Sequence, residues 1–374
     1  MIQIKEVLSA NELTRFIDFP HDLYAHDAQY VPELFIAQRD LLTPGKHPFH
    51  RHSHVKLFLA YEGAQVVGRI AAIENRNYNE FNHERDGFFG FFDAVDDVEV
   101  ARLLIHHISQ WLSGKGLKSI IGPVNFSTNE TCGLLIEGFD SAPFTMMTYN
   151  KPYYQSLLEK TEFIKMVDLI AYKFSGEQFD QRPVKLFNTL SRRLNQKGVT
   201  IRRINLKNFD NEVDRIHAVY NSAWDKNLGF VPMTRDEFQY LAKDLKLILD
   251  TDFCLVAEKN EQIIGFALAI PNINEVLKNV SRGRLFPTGL LKLLFGLKKI
   301  KSVRVIALGV IAEFRKQGIE ACFYASVLEA YRRKKYTSAE ASWTLEDNHL
   351  MNRAIEQMNG VPYKKYRIFK KVLS

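Results

Sequence analysis

The chain has 374 residues, 46% of them hydrophobic and 25% charged. That is the composition of a soluble globular protein long enough for two domains with separate cores. The net charge is +7, and no run of about 20 apolar residues is present, which excludes a helical membrane span; no secretory leader is expected either. Three cysteines, Cys132, Cys254 and Cys322, sit in apolar stretches without metal spacing and read as reduced core residues of a cytoplasmic protein.

Along the chain, His47, His50, His52 and His54 come first. No cysteine or acid stands in register with them and Pro48 disrupts a helix, so no metal site is expected. Next comes a hairpin, Phe58 to Gly63 running into Gln65 to Ile73, with a glycine after two β-branched residues. A strand at Phe88 to Phe92 leads into Asp93, Asp96, Asp97 and Glu99. That turn has four acids, no glycine and no base, so it would repel a diphosphate. A helix over Glu99 to Leu112 follows, then a strand at Leu117 to Ile121. The loop Gly122 to Gly133 is dense in hydrogen-bonding side chains. Asn125, Ser127, Asn129 and Glu130 are its candidates for binding the polar end of a substrate, against the alternative that they satisfy local backbone. A helix at Tyr153 to Glu159 and an aromatic-rich strand at Ile164 to Phe174 end this half.

The polar stretch Ser175 to Arg182 marks a boundary, giving domains at 1–175 and 176–374. The hairpin pattern then returns, Leu255 to Asn260 running into Gln262 to Ile270, and the same order of elements follows it. Two tandem copies of one α/β unit fit the length. The second copy carries an insertion at about 272–301. Between Glu275 and Arg304 there are eight basic residues against one acid, interleaved with Leu290, Leu291, Leu293, Leu294 and Phe295. Basic and apolar together, the segment suits an anionic bilayer, an acidic partner such as an acyl carrier protein, an acyl-chain tunnel, or simple packing with solvated lysines. Its lysines alternate with leucine rather than stacking aromatics, so nucleic acid is not expected.

Beyond the insertion, the β-branched run Val303 to Val310 feeds a basic turn, Arg315-Lys316-Gln317-Gly318-Ile319-Glu320, that opens an amphipathic helix. Such a turn can hold a diphosphate: unpaired first-turn N–H groups and the positive end of the helix dipole face it, and Gly318 lets the backbone come close. A short strand, Thr337 to Trp343, is followed by Asn348, which can cap the next helix. Asn359-Gly360 ends that helix. Tyr363 to Leu373 reads as one long strand or a strand pair.

This order, with Arg315-x-x-Gly318 as its turn and Asn348 and Gly360 at the ends of the following helix, resembles the C-terminal half of the GCN5-related N-acetyltransferase (GNAT) superfamily. The resemblance implies an α/β (α+β) fold of two tandem GNAT-like domains. Each would be a mixed, mostly antiparallel sheet flanked by helices, and the N-terminal copy would be degenerate. It implies acetyl-CoA or another acyl-CoA as co-substrate and no metal. Leu308 and Val310 would bind the pantetheine arm, with the Val310 N–H on the thioester oxygen, and Lys316 to Glu320 would hold the diphosphate. Two positions depart from the family: Glu320 replaces a small residue, and no tyrosine lies between Asn348 and Gly360.

Acyl transfer to an amine needs a base. Glu340 is favoured, with Glu346 and Glu313 as alternatives; Tyr363, Tyr366 and Tyr324 are candidate acids. The reading is an N-acyltransferase acting on a small-molecule or peptide amine, cytoplasmic or peripheral to a membrane. A non-catalytic acyl-CoA- or lipid-binding protein and aminoacyl transfer from tRNA stand as alternatives.

Overall fold

The computed structural model describes residues 1–176, 182–224 and 229–373; residues 177–181 of the expected boundary lie outside them. Among the described residues thirteen strands run in chain order: β1 (Ile2–Glu6), β2 (His54–Glu62), β3 (Gln65–Glu74), β4 (Asp86–Ala94), β5 (Ser119–Gly122), β6 (Leu134–Glu137), β7 (Ile164–Ser175), β8 (Val199–Arg203), β9 (Cys254–Lys259), β10 (Gln262–Pro271), β11 (Ser302–Val310), β12 (Ser338–Leu345) and β13 (Val361–Val372). The aromatic-rich C-terminal segment is thus one strand.

Two compact units form, and neither is a continuous half of the sequence. The first holds Met1–Leu169, Asn274–Gly296 and Lys364–Ser374; the second holds Ile170–Ile273 and Leu297–Tyr363. The division at 175/176 is therefore displaced. The units part inside β7 and inside β13. The insertion helix belongs with the first unit.

In the first unit the strand order is β1-β2-β3-β4-β5-β13, with β6 also on β13. In the second it is β7-β12-β11-β10-β9-β8. Among the described residues β4 pairs with β5 and β11 with β12 in parallel, while β1 with β2, β2 with β3, β3 with β4, β5 and β6 with β13, β8 with β9, β9 with β10 and β10 with β11 pair antiparallel. The helix Val98–Gly114 buries Val100, Ala101, Leu104, Ile105, Ile108 and Leu112, a stripe at helical spacing, against Phe58, Ile70, Phe89 and Ile120. In the second unit the helix Ile319–Arg333 does the same with Ile319, Cys322 and Phe323 against Leu255, Ala257 and Val310. The tandem arrangement legible in the repeated hairpins is the fold that forms: two mixed, mostly antiparallel sheets flanked by helices.

Each parallel pair is short, and this places the site. β11 and β12 pair only from Ser302↔Ser338 to Val305↔Ala341. β11 then continues to Val310 and β12 to Leu345, so the strands part in a V. A bulge at Ile306, where the register with β10 steps from Leu268↔Ala307 to Ala269↔Val305, bends β11 at the vertex. The first unit repeats the device: β4 and β5 pair only from Asp86↔Ser119 to Phe88↔Ile121.

Candidate active site

The open V of the second unit exposes backbone. Ile311 donates its N–H to the Ile264 carbonyl of β10 (3.0 Å). Backbone groups alternate in direction along a strand, so those of Val310 and Leu308 point away from β10, toward the side β12 has left. Val305 to Leu308 are only half-buried. Beyond the strand, the turn reaches Gly318 in the left-handed conformation (φ 97°), and Gly318 is the N-cap of Ile319–Arg333 without a side-chain cap. The first-turn amides of that helix keep their unpaired, anion-attracting character.

The basic turn is arranged differently from a row of free cations. Arg315 folds back: its Nε donates to the Val310 carbonyl (2.9 Å) and its Nη2 to the Ala223 carbonyl (3.0 Å). It ties the end of β11 to the end of the helix Phe209–Ala223. Lys316 has a positive φ of 61° and is exposed. Gln317 donates to the Glu313 carbonyl (3.1 Å). Ile319 is a core residue by its side chain, so only its backbone can serve the turn. Glu320 is half-buried, and its charge is felt one turn into the helix. Burial, with Glu320 nearby, pushes the Tyr324 hydroxyl up to about 12. Tyr324 donates to the Met351 sulfur (3.7 Å). Asn348 caps the helix His349–Gln357, accepting from the Met351 N–H (3.2 Å).

At the vertex the structure joins two residues chosen from the sequence and adds two more. Glu340 is fully buried (0% exposed). Tyr363 donates to its Oε2 and Ser342 to its Oε1. Arg304, its register partner across β11 and β12, places Nε 3.6 Å from Oε1 and donates to the Ser342 Oγ (2.8 Å). A buried carboxylate must be paired and hydrogen-bonded to stay charged, and this network supplies both. Arg304 was legible only as one of the basic residues of its segment, because its partner is set by strand register.

The first unit has the same skeleton, with the strand-end backbone and the helix start both occupied by its own side chains. By register, Ala94 (opposite Gly68) corresponds to Val310 (opposite Gly265). The Ala94 N–H donates to the Tyr154 hydroxyl (3.1 Å), and the Ala94 carbonyl accepts from the Tyr153 hydroxyl (2.8 Å). Asp97 caps Val98–Gly114 with its own carboxylate, accepting from the Glu99 N–H (2.8 Å). Asn125 accepts from the Phe91 N–H (2.8 Å) and donates to Thr131 (2.7 Å), which ties its loop to β4. Of the acids of this turn, Asp97 occupies the helix start, whereas Asp93 pairs with Arg69 (2.8 Å).

Of the loop residues singled out for substrate, Asn125 lines a cavity of about 150 Å³ in this unit, whose walls include His21, Tyr30, Arg69 and Asp93. Ser127 accepts from the Asn129 N–H (3.2 Å), and Glu130 lies 3.9 Å from His47; these three are outside the cavity's lining. The histidine cluster disperses among unrelated partners: His50 to the Leu41 carbonyl, His52 to Ser53 and His54 to Glu74. Among the described residues no group of three or more His, Cys, Asp or Glu side chains is placed to hold a metal.

No family model matches the sequence. Protein YghO of Escherichia coli (strain K12) is 35% identical over 376 residues, spanning 98% of this chain and 95% of the relative. Bacterial ceramide synthase of Caulobacter vibrioides is 34% identical over 379 residues, spanning 100% and 98%. Among solved structures, a tandem GNAT protein from the clavulanic acid biosynthesis pathway superposes with a TM-score of 0.58 at 9% identity, over 100% of this chain and 99% of the other. The chain therefore belongs to the same family as YghO and the bacterial ceramide synthase, and that family is built on the tandem fold of the GCN5-related N-acetyltransferases.

Proposed function

We propose that this chain is an acyl-CoA-dependent N-acyltransferase whose second unit carries the reaction and whose acceptor is the amine of a long-chain amino alcohol. A ceramide is the N-acyl amide of such a base, and a relative that aligns with the whole chain is named for making it. The observation that carries the reading is the pairing, in one unit, of an opened strand end at Leu308 and Val310 with an uncapped helix start at Gly318. The first unit, on the same skeleton, fills both positions with Tyr154 and Asp97.

The thioester supplies an activated carbonyl carbon; the chain supplies the rest. The amides of Ile319 and Glu320 hold the diphosphate, and Lys316 adds charge. The Val310 N–H meets the carbonyl oxygen, whose negative charge grows as the amine attacks. A fixed donor there contributes several kcal/mol (~3) to the rate. As the C–N bond forms and the C–S bond breaks, the amine's proton passes through the Tyr363 hydroxyl to Glu340, beside which Arg304 sets its guanidinium. Tyr324, kept a neutral phenol, is the nearest described tyrosine of the turn's own helix to protonate the thiolate. The missing tyrosine between Asn348 and Gly360 is replaced by one from the preceding helix.

The test is thiol release and amide formation, followed by mass spectrometry. Acetyl-CoA and long-chain acyl-CoA would be offered with a long-chain amino alcohol, a polyamine or a lysine peptide. Amide formation on the amino alcohol with a long-chain donor is expected. Thioester binding without thiol release from any pair would leave a binding protein instead.

A further inference from the structure

The insertion of the second copy forms a surface that the acyl-transfer reading does not use. It is anchored to the first unit by Arg282, which donates to Asp22, and by Arg284, which pairs with Asp18 (2.7 Å) and lies 4.0 Å over the Phe35 ring. Its helix, Gly289–Leu297, has the sequence GLLKLLFGL. In a soluble protein the bulky side of such a helix faces the core. Here the orientation is reversed. Gly289 and Gly296, seven residues apart and so on one face, are the close-approach points. A side chain at Gly289 would strike the Arg284 carbonyl and Val280, and one at Gly296 would strike Val276. With the glycine side down, Leu291, Leu294 and Phe295 point outward, 56%, 55% and 71% exposed, and Phe286 just before the helix is 77% exposed. Leu291, Leu294 and Phe295 stand at i, i+3 and i+4 and form one stripe.

No acid lies between Val276 and Val303, while Lys278, Lys292, Lys298 and Lys299 do. Lys278, Lys292, Lys298 and Lys299 are exposed. Among the described residues no helix is long and apolar enough to cross a membrane, so the stripe can enter a bilayer only in the plane of its surface. We infer that the segment Phe286–Lys299 is an interfacial anchor that docks this protein on an anionic lipid bilayer, with the leucine and phenylalanine side chains in the headgroup–acyl boundary and the lysines on the phosphates. The combination of an outward apolar stripe and basic flanks is what such a surface recognises. A purely electrostatic acidic protein partner would have no use for four large apolar side chains.

Flotation of the purified full-length protein with vesicles tests this apart from any enzymatic readout. Vesicles of phosphatidylglycerol mixed with phosphatidylcholine should carry the protein up, pure phosphatidylcholine should carry less, and added salt should weaken both the binding and the difference. Leu291→Ser with Phe295→Ser should abolish flotation. Lys298→Gln with Lys299→Gln should weaken it about fivefold per lysine, while far-ultraviolet circular dichroism and the melting temperature stay those of the parent. Equal flotation of parent and the serine variant, absence of flotation on anionic vesicles, or saturable binding of an acyl carrier protein in place of vesicle binding would each overturn the proposal.

Discussion

The hydroxyl of Tyr363, on β13, donates to the carboxylate of Glu340, on β12. The bond lies at the point where β11 and β12 cease to pair, and it gives a buried acid a hydroxyl through which a proton can arrive. If Glu340 is the base, Glu340→Gln lowers kcat by about 10²–10⁴-fold and leaves the KM for the thioester within a few-fold. Tyr363→Phe should show a smaller loss of the same kind. Thiol release at saturating thioester decides it. A kcat within tenfold of the parent would move the base elsewhere.

Arg304 is 4% exposed beside an acid that is fully buried. Arg304→Met leaves that acid without its counter-charge and should cost about 3–5 kcal/mol in urea unfolding. Adding Glu340→Gln to the same chain should return much of it, because the stranded charge is then gone. A single variant as stable as the parent would show that Ser342 and Tyr363 suffice.

Gly318 and Asp97 are the N-caps of corresponding helices, and only the second has a side chain on its own first turn. Gly318→Asp sets a carboxylate at the start of the second unit's helix. It should raise the KM for acyl-CoA by at least about tenfold, since a charged hydrogen bond is exchanged for repulsion (~1.5–3 kcal/mol). The left-handed φ of 97° costs a non-glycine residue about 1–2 kcal/mol, and the new Cβ would meet Leu190 at 3.1 Å, so the melting temperature should fall as well. Isothermal titration with coenzyme A separates lost binding from lost folding.

His21 is held neutral. Burial, and then the charges of Arg69, Arg282 and Arg284, bring its pKa down to about 4, and its Nδ1 is 2.9 Å from the Tyr30 hydroxyl. Free histidine protonates near about 6.5. Between these values the unfolded chain binds the extra proton and the folded chain does not. Stability is therefore full above about pH 6.5 and falls as pH falls toward about 4. The loss attributable to this group is ~2–3 kcal/mol. His21→Gln should flatten that part of the curve when urea midpoints are compared at neutral and acid pH. An unchanged slope would assign the acid sensitivity to other groups.

Local patterns in the sequence determined the repeated strand–turn–helix units, the glycine turn at 318 and the acidic turn at Asp97. Each depends on neighbours a few residues apart, where periodicity and capping act. Tertiary structure alone decided which openings stay open. Tyr154 reaches the Ala94 amide from 60 residues away. Arg304 finds Ser342 across 38. Arg315 spends its guanidinium on the Ala223 carbonyl, 92 residues back, rather than standing free as its place in a basic turn suggests. The exchange of terminal segments between the units is equally invisible in order along the chain. Strand register and side-chain reach are set by what packs in space, and a hydrogen bond between distant residues leaves no period in the sequence to read.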